Sequence, residues 1–177
     1  MERPRVSVFL ALSLDGYIAG ENDDLSWLEP FSTDPPEATG YSALMESIDV
    51  MILGRNSYDV VSTFEPWPYA GKRIMVLTHR PVTALHGAEA YAGRLEDLLR
   101  NLFRDGHRHV YLDGGQAARQ GFAAGLVDEF TISWVPVILG RGVPLFTPEL
   151  PRRLWRLKES RALPSGLLQG IYARVDS

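Results

Sequence analysis

Asp49–Tyr58 reads DVMILGRNSY, and the order of residue types in it decides the fold. Val50, Met51, Ile52 and Leu53 form a short apolar run between polar neighbours, the pattern of a strand buried on both faces. Gly54 follows, then Arg55, Asn56 and Ser57, then apolar residues at Tyr58, Val60, Val61 and Phe64 that predict a helix. A buried strand running through glycine into a helix start leaves unpaired N–H groups at the positive end of the helix dipole. Phosphate binds well at such an edge, and Arg55 and the Ser57 hydroxyl stand where they can add charge-assisted contacts. The plainer alternative is a strand–turn–helix with a surface arginine.

Two further stretches repeat the arrangement. Arg73–Leu77 (RIMVL) predicts a buried strand that stops at Thr78-His79-Arg80. His109–Leu112 (HVYL) predicts another, ending in Asp113-Gly114-Gly115 and followed by a helix over Gln116–Ala124 with Gly125 as its cap. Ligands of open α/β sheets collect at the carboxyl edge of the strands. Paired glycines let main chain approach a pyrophosphate, and the two cationic loops beside them point to a nucleotide phosphorylated at more than one place. No G-x-G-x-x-G occurs in the first strand–helix unit.

The rest of the chain fits an α/β sheet. Arg5–Ser13 (RVSVFLALS) predicts a central strand that turns at Asp15-Gly16 into a polar loop closed by Trp27 and Leu28. Pro35 and Pro36 open a helix expected to run to Ser47, with Tyr41, Leu44, Met45 and Ile48 as its apolar stripe. A short strand is expected near Ala88–Tyr91 and an amphipathic helix over Leu95–Phe103. Asp128–Ile138 predicts a long strand in which Pro136 marks an edge or a bulge, and Leu154–Lys158 with Leu167–Val175 form a closing strand pair. Strands alternating with helices early and paired strands late predict one α/β domain with a mostly parallel sheet and an antiparallel end.

Composition narrows the function classes. A formal net charge of -4 gives no electrostatic basis for binding nucleic acid or an acidic membrane. The absence of cysteine excludes disulfides, thiolate metal sites and a cysteine nucleophile, and fits a reducing cytoplasm. No apolar run approaches the roughly 20 residues of a membrane helix. Val6–Leu12 leads into Asp15-Gly16 rather than a cleavage site, so a cytoplasmic chain is expected. His107 and His109 form an H-x-H without a carboxylate neighbour, and are expected as edge histidines with no metal. Asp113 reads as a turn or N-cap residue, Asp15 as a turn residue or a substrate-side acid, and Arg141 as part of a tight hairpin.

The segments SLDGYIAG, DVMILGRNSY, VLTHR, LDGG and GLVDEFTISWVPVILGRGVPLF together resemble the dihydrofolate reductase-like superfamily. Within it they are most similar to stand-alone proteins like the reductase domain of bifunctional riboflavin-biosynthesis deaminase–reductases. The resemblance implies a mixed, mostly parallel sheet of about eight strands flanked by helices. It also implies NADPH as cofactor. Gly54, Arg55 and Ser57 would hold phosphates; Thr78 and Arg80, with His79 between them, the 2′-phosphate; Gly114, Gly115 and Gln116 the pyrophosphate; Ala11 and Ile18 the nicotinamide end. Trp27 corresponds to the tryptophan near the substrate in dihydrofolate reductases. Their proton-relay carboxylate falls on Ala38, so that acid is missing unless Glu37 or Asp34 replaces it. The riboflavin-pathway substrate segment is Phe64-Glu65-Pro66-Trp67-Pro68 here.

The implied activity is hydride transfer from NADPH to a small heterocyclic or ribosylamino substrate, of the 5-amino-6-(5-phosphoribosylamino)uracil reductase type. Asp15, Trp27 and Glu37 are the catalytic candidates. A dihydrofolate or pterin reductase and a nucleotide-binding protein without turnover are the alternatives, and a homodimer is implied because related proteins dimerise.

Overall fold

The computed structural model describes residues 2–175. In chain order the strands and helices are β1 (Arg5–Ser13), β2 (Tyr17–Ala19), α1 (Pro36–Thr39), α2 (Tyr41–Ser47), β3 (Val50–Gly54), α3 (Arg55–Val61), β4 (Arg73–Leu77), β5 (Glu89–Tyr91) and α4 (Leu95–Arg104). They continue with β6 (His109–Asp113), α5 (Gly115–Ala124), β7 (Glu129–Val135), β8 (Val143–Pro144), β9 (Trp155–Ala162) and β10 (Leu168–Arg174). Eight strands form one sheet in the order β5-β4-β3-β6-β1-β7-β10-β9, and β2 pairs separately with β8. The contacts from β5 across to β7 are parallel, while β10 runs antiparallel to both β7 and β9. The fold is that of a mixed α/β protein with a mostly parallel sheet.

Strand alternation divides the core in two. Val50 and Ile52 of β3 join Val6, Val8 and Leu112 beneath α4 and α5, where Leu99 and Ala118 are completely buried. Met51 and Leu53 point the other way and meet Tyr58, Ile74, Val76 and Tyr111, with Tyr41, Leu44 and Met45 of α2 packed against them. Each fully buried side chain of this size contributes about 1.5–3 kcal/mol. α5 lies close on the sheet because Gly121 has no side chain: a Cβ there would sit 2.5 Å from Leu112 Cδ2 and 3.1 Å from Val127 Cγ2.

The strand assignments around Asp49–Tyr58, Arg73–Leu77 and His109–Leu112 agree with the sequence pattern. Three others differ. The helix expected from Pro36 to Ser47 is broken at Gly40, whose φ of 79° ends α1 in the left-handed conformation and starts α2. Pro136 marks neither an edge nor a bulge; β7 stops at Val135 and lies inside the sheet between β1 and β10. The loop after β1 begins with β2, since Tyr17 and Ala19 pair with Pro144 and Val143. Among the described residues, no helix is long and apolar enough to cross a membrane.

Candidate active site

β3 and β6 are parallel neighbours, so α3 and α5 start side by side at the carboxyl edge of the sheet. Gly114 has φ 91° and ψ 145°, a conformation open essentially to glycine alone. A Cβ at Gly114 would run into the Ser57 hydroxyl, and one at Gly115 would run into Ile18 Cδ1. Ile18, Gly54, Ser57, Gly114 and Gly115 are thereby brought together. No side chain caps α5, which leaves the N–H groups of its first turn free of a side-chain acceptor. Gln116 is exposed beside them. Arg119 was not singled out from the sequence; its Nη1 donates to Pro144 O at 2.6 Å and would lie 3.6 Å from a Cβ at Gly115.

The loop after β4 is a compact turn in which Arg80 N–H donates to Thr78 Oγ1 at 3.0 Å, with His79 and Arg80 exposed. Arg55 braces this loop: its Nε donates to both Asp59 oxygens at 2.8 and 2.9 Å, and its Nη1 to Pro81 O at 2.8 Å. The sequence pattern offered Arg55 to phosphate directly. The structure uses much of its donor set to fix the Thr78–Pro81 loop next to α3.

Beside this edge, on the α2 side of the sheet, lies a cleft of about 500 Å³. Ala11 of β1, Ser133 of β7, Tyr41, Leu28, Phe31 and Asp34 are among its walls. Leu28 and Phe31 belong to the 3₁₀ turn Ser26–Phe31. Trp27 of the same turn is half-buried, and its indole N–H donates to Asp24 O at 3.1 Å. Leu28 and Phe31 therefore supply the contacts with the cleft that the sequence assigned to Trp27. Glu37 is exposed and accepts from the Ser42 hydroxyl at 3.3 Å, so it does not replace the missing carboxylate at Ala38. Asp34 is the acid of that segment that reaches the cleft, where it also accepts from Ser165 N–H at 3.2 Å and from the Ser165 hydroxyl.

Asp15 clamps the turn after β1 to the segment after β7. Its carboxylate accepts from Ser13 Oγ at 2.7 Å, Leu139 N at 3.1 Å and Gly140 N at 2.7 Å. The Ser13 hydroxyl, with these backbone donors, holds its pKa down at about 2.

Asp113, expected as a turn or N-cap residue, instead carries its carboxyl into a cluster of tyrosines. Tyr111 Oη lies 2.9 Å from Phe9 O and 3.2 Å from Asp113 Oδ1. The phenol has one hydrogen to share between Phe9 O and Asp113 Oδ1, both of which accept from it. Loss of solvent raises the Asp113 pKa, against the lowering contacts from Gly114 N–H and Tyr111. Burial, with the nearby Asp113, likewise raises the phenols of Tyr41, Tyr69 and Tyr111. Strand alternation puts Tyr111 and Asp113 on one face, which was the available sequence signal; Tyr41 and Tyr69 arrive from elsewhere in the chain.

His109 and His107 face different partners. His109 Nε2 bonds Ser7 Oγ at 2.8 Å and Nδ1 bonds Ser47 Oγ at 3.1 Å, while His107 Nε2 lies 3.3 Å from Arg73 Nη1.

A family model described as the RibD C-terminal domain matches residues 72–169, from the start of β4 into β10. The chain belongs to the RibD C-terminal domain family. It is 33% identical over 171 residues to YwjB of Bacillus subtilis (strain 168), an uncharacterized protein, covering 91% of this chain and 92% of YwjB. The crystal structure of a putative riboflavin biosynthesis protein from Shewanella sp. PV-4 superposes with a TM-score of 0.86 at 34% identity, covering 97% of this chain and 99% of that one. Dihydrofolate reductase from Enterococcus faecalis, complexed with NADP(H) and RAB-propyl, superposes with a TM-score of 0.67 at 16% identity, covering 97% of both chains. That last likeness shows the fold alone. The RibD C-terminal family is reductase-like.

Proposed function

We propose that this chain is an NADPH-dependent reductase of a small heterocyclic or ribosylamino substrate, of the riboflavin-pathway type, working in the cytoplasm as a homodimer. The observation that carries the reading is the uncapped start of α5 at Gly114–Gly115, with Ser57 and Ile18 packed against it, beside the cleft. These residues fit the cofactor: an uncapped start of α5 and a hydroxyl at α3 suit a pyrophosphate. Thr78 and Arg80 on the braced loop suit a further phosphate. Bound NADPH would supply the hydride. Leu28, Phe31 and Ala11 exclude water from the substrate, and the glycine edge fixes the orientation of the cofactor.

Calorimetric titration with NADPH and with NADH, for the wild type and Arg80→Ala, tests the reading. The expected result is micromolar NADPH binding with a preference of at least about tenfold over NADH, roughly 1.4 kcal/mol, abolished in the variant. Failure to bind either nucleotide would overturn it.

A further inference from the structure

A chain of hydrogen bonds leads to Ser133 in the wall of the cleft, and its direction is forced from the far end. Arg161 Nε donates to Gln169 Oε1 at 2.8 Å, and Gln169 is 0% exposed. A guanidinium only donates, so the carboxamide is fixed with its oxygen toward Arg161 and its nitrogen toward Ser133. Arg161 is itself held, since Nη2 donates to Thr39 O at 3.2 Å. Gln169 Nε2 then donates to Ser133 Oγ at 3.1 Å. A carboxamide nitrogen accepts nothing, which makes Ser133 Oγ the acceptor and leaves its hydrogen over. Among the described residues nothing accepts that hydrogen, although Ser133 is only 5% exposed. Ser133 lines the cleft, so the unused donor belongs to whatever fills it.

We infer that the Arg161–Gln169–Ser133 chain is a specificity device that makes the Ser133 hydroxyl an obligate donor to an acceptor atom of the substrate. This rests on the reductase reading for the location of the substrate. A ring presenting an oxo group to β7 satisfies the hydroxyl; a ring presenting an amino group there sets donor against donor and leaves both unpaired.

The test titrates NADPH-saturated protein with 5,6-diaminouracil, which carries two oxo groups, and with 2,4,5,6-tetraaminopyrimidine, which carries none. Wild type and Ser133→Thr are expected to prefer the uracil by at least about tenfold. Ser133→Ala should bring the ratio within about threefold. Gln169→Glu is nearly isosteric and keeps the acceptor for Arg161. It also offers Ser133 an acceptor, turning the hydroxyl's lone pairs toward the cleft, and should shift the ratio toward the amino compound. Thermal melts of each variant separate these outcomes from misfolding. An equal ratio in wild type and Ser133→Ala, or no binding of either pyrimidine, would overturn the inference while NADPH binding leaves the reductase reading standing. If NADPH itself fails to bind, it is the reductase reading that falls.

Discussion

Ser57 stands over Gly114 so closely that a Cβ at position 114 would meet the Ser57 hydroxyl and lie 3.2 Å from Ser57 Cβ. Two helix starts are thereby locked together through one missing side chain. Gly114→Ala should lower stability by about 1–3 kcal/mol, from its φ of 91° and the collision combined. Urea unfolding of Gly114→Ala, Ser57→Ala and the double variant checks this. The double variant should recover the steric part only; a strictly additive cycle would show that the two residues do not touch.

Asp113→Asn should leave NADPH affinity within about twofold and gain stability over the wild type as pH rises, since the amide carries no charge to bury. The folded pKa of Asp113 lies above the ordinary 3.8, so the wild type loses stability as pH rises through that range. Melts of both proteins should therefore show a gap that widens with pH and levels off above the raised pKa. A gap that does not change with pH would mean that burial does not strain the Asp113 carboxylate.

Asp15 makes a stability prediction with a definite sign. Its folded pKa of about 2 lies below the ordinary 3.8, so its contribution is complete above about pH 5 and is lost as pH falls toward 2. Asp15→Asn should melt below the wild type at pH 7, and the gap should close between about pH 4 and pH 2. A gap independent of pH would mean that the clamp acts through shape rather than charge.

Gly40 separates α1 from α2 at φ 79°, with Arg161 Nη2 3.0 Å from where a Cβ would stand. Gly40→Ala should cost about 1–2 kcal/mol, and Gly40→Asn less, because asparagine tolerates the left-handed region. Chemical denaturation of both variants decides it. Equal losses would point to the Arg161 contact instead of the backbone.

What could be read from the sequence follows from how local each cause is. The strands β3, β4 and β6 announce themselves because a strand covered on both faces must be apolar along its whole length, as Val50–Leu53 is. The meeting of Gly54, Ser57 and Gly114 at the ends of β3 and β6 was equally legible, since two adjacent parallel strands must bring their following turns together. The break at Gly40 was missed because one glycine inside a helical pattern ends it only if the next turn docks elsewhere. β2 and β8 pair over two or three residues, too short for any periodicity. The cleft resisted for the same reason. Asp113 acquires its character from burial, and Ser133 from Gln169 and Arg161, conditions that only the assembled sheet creates.

The clamp at Asp15 has a mechanical consequence. Asp15 holds Leu139 and Gly140, Leu14 N–H donates to Val137 O at 2.8 Å, and a Cβ at Gly142 would strike Ala19 O. The segments after β1 and after β7 are thus riveted into one plate, and Ile18, which covers Gly115, rides on it. Bending one segment alone would break these bonds. The plate must lift as a unit, so the rivets that steady the site also govern how quickly it can be emptied and refilled.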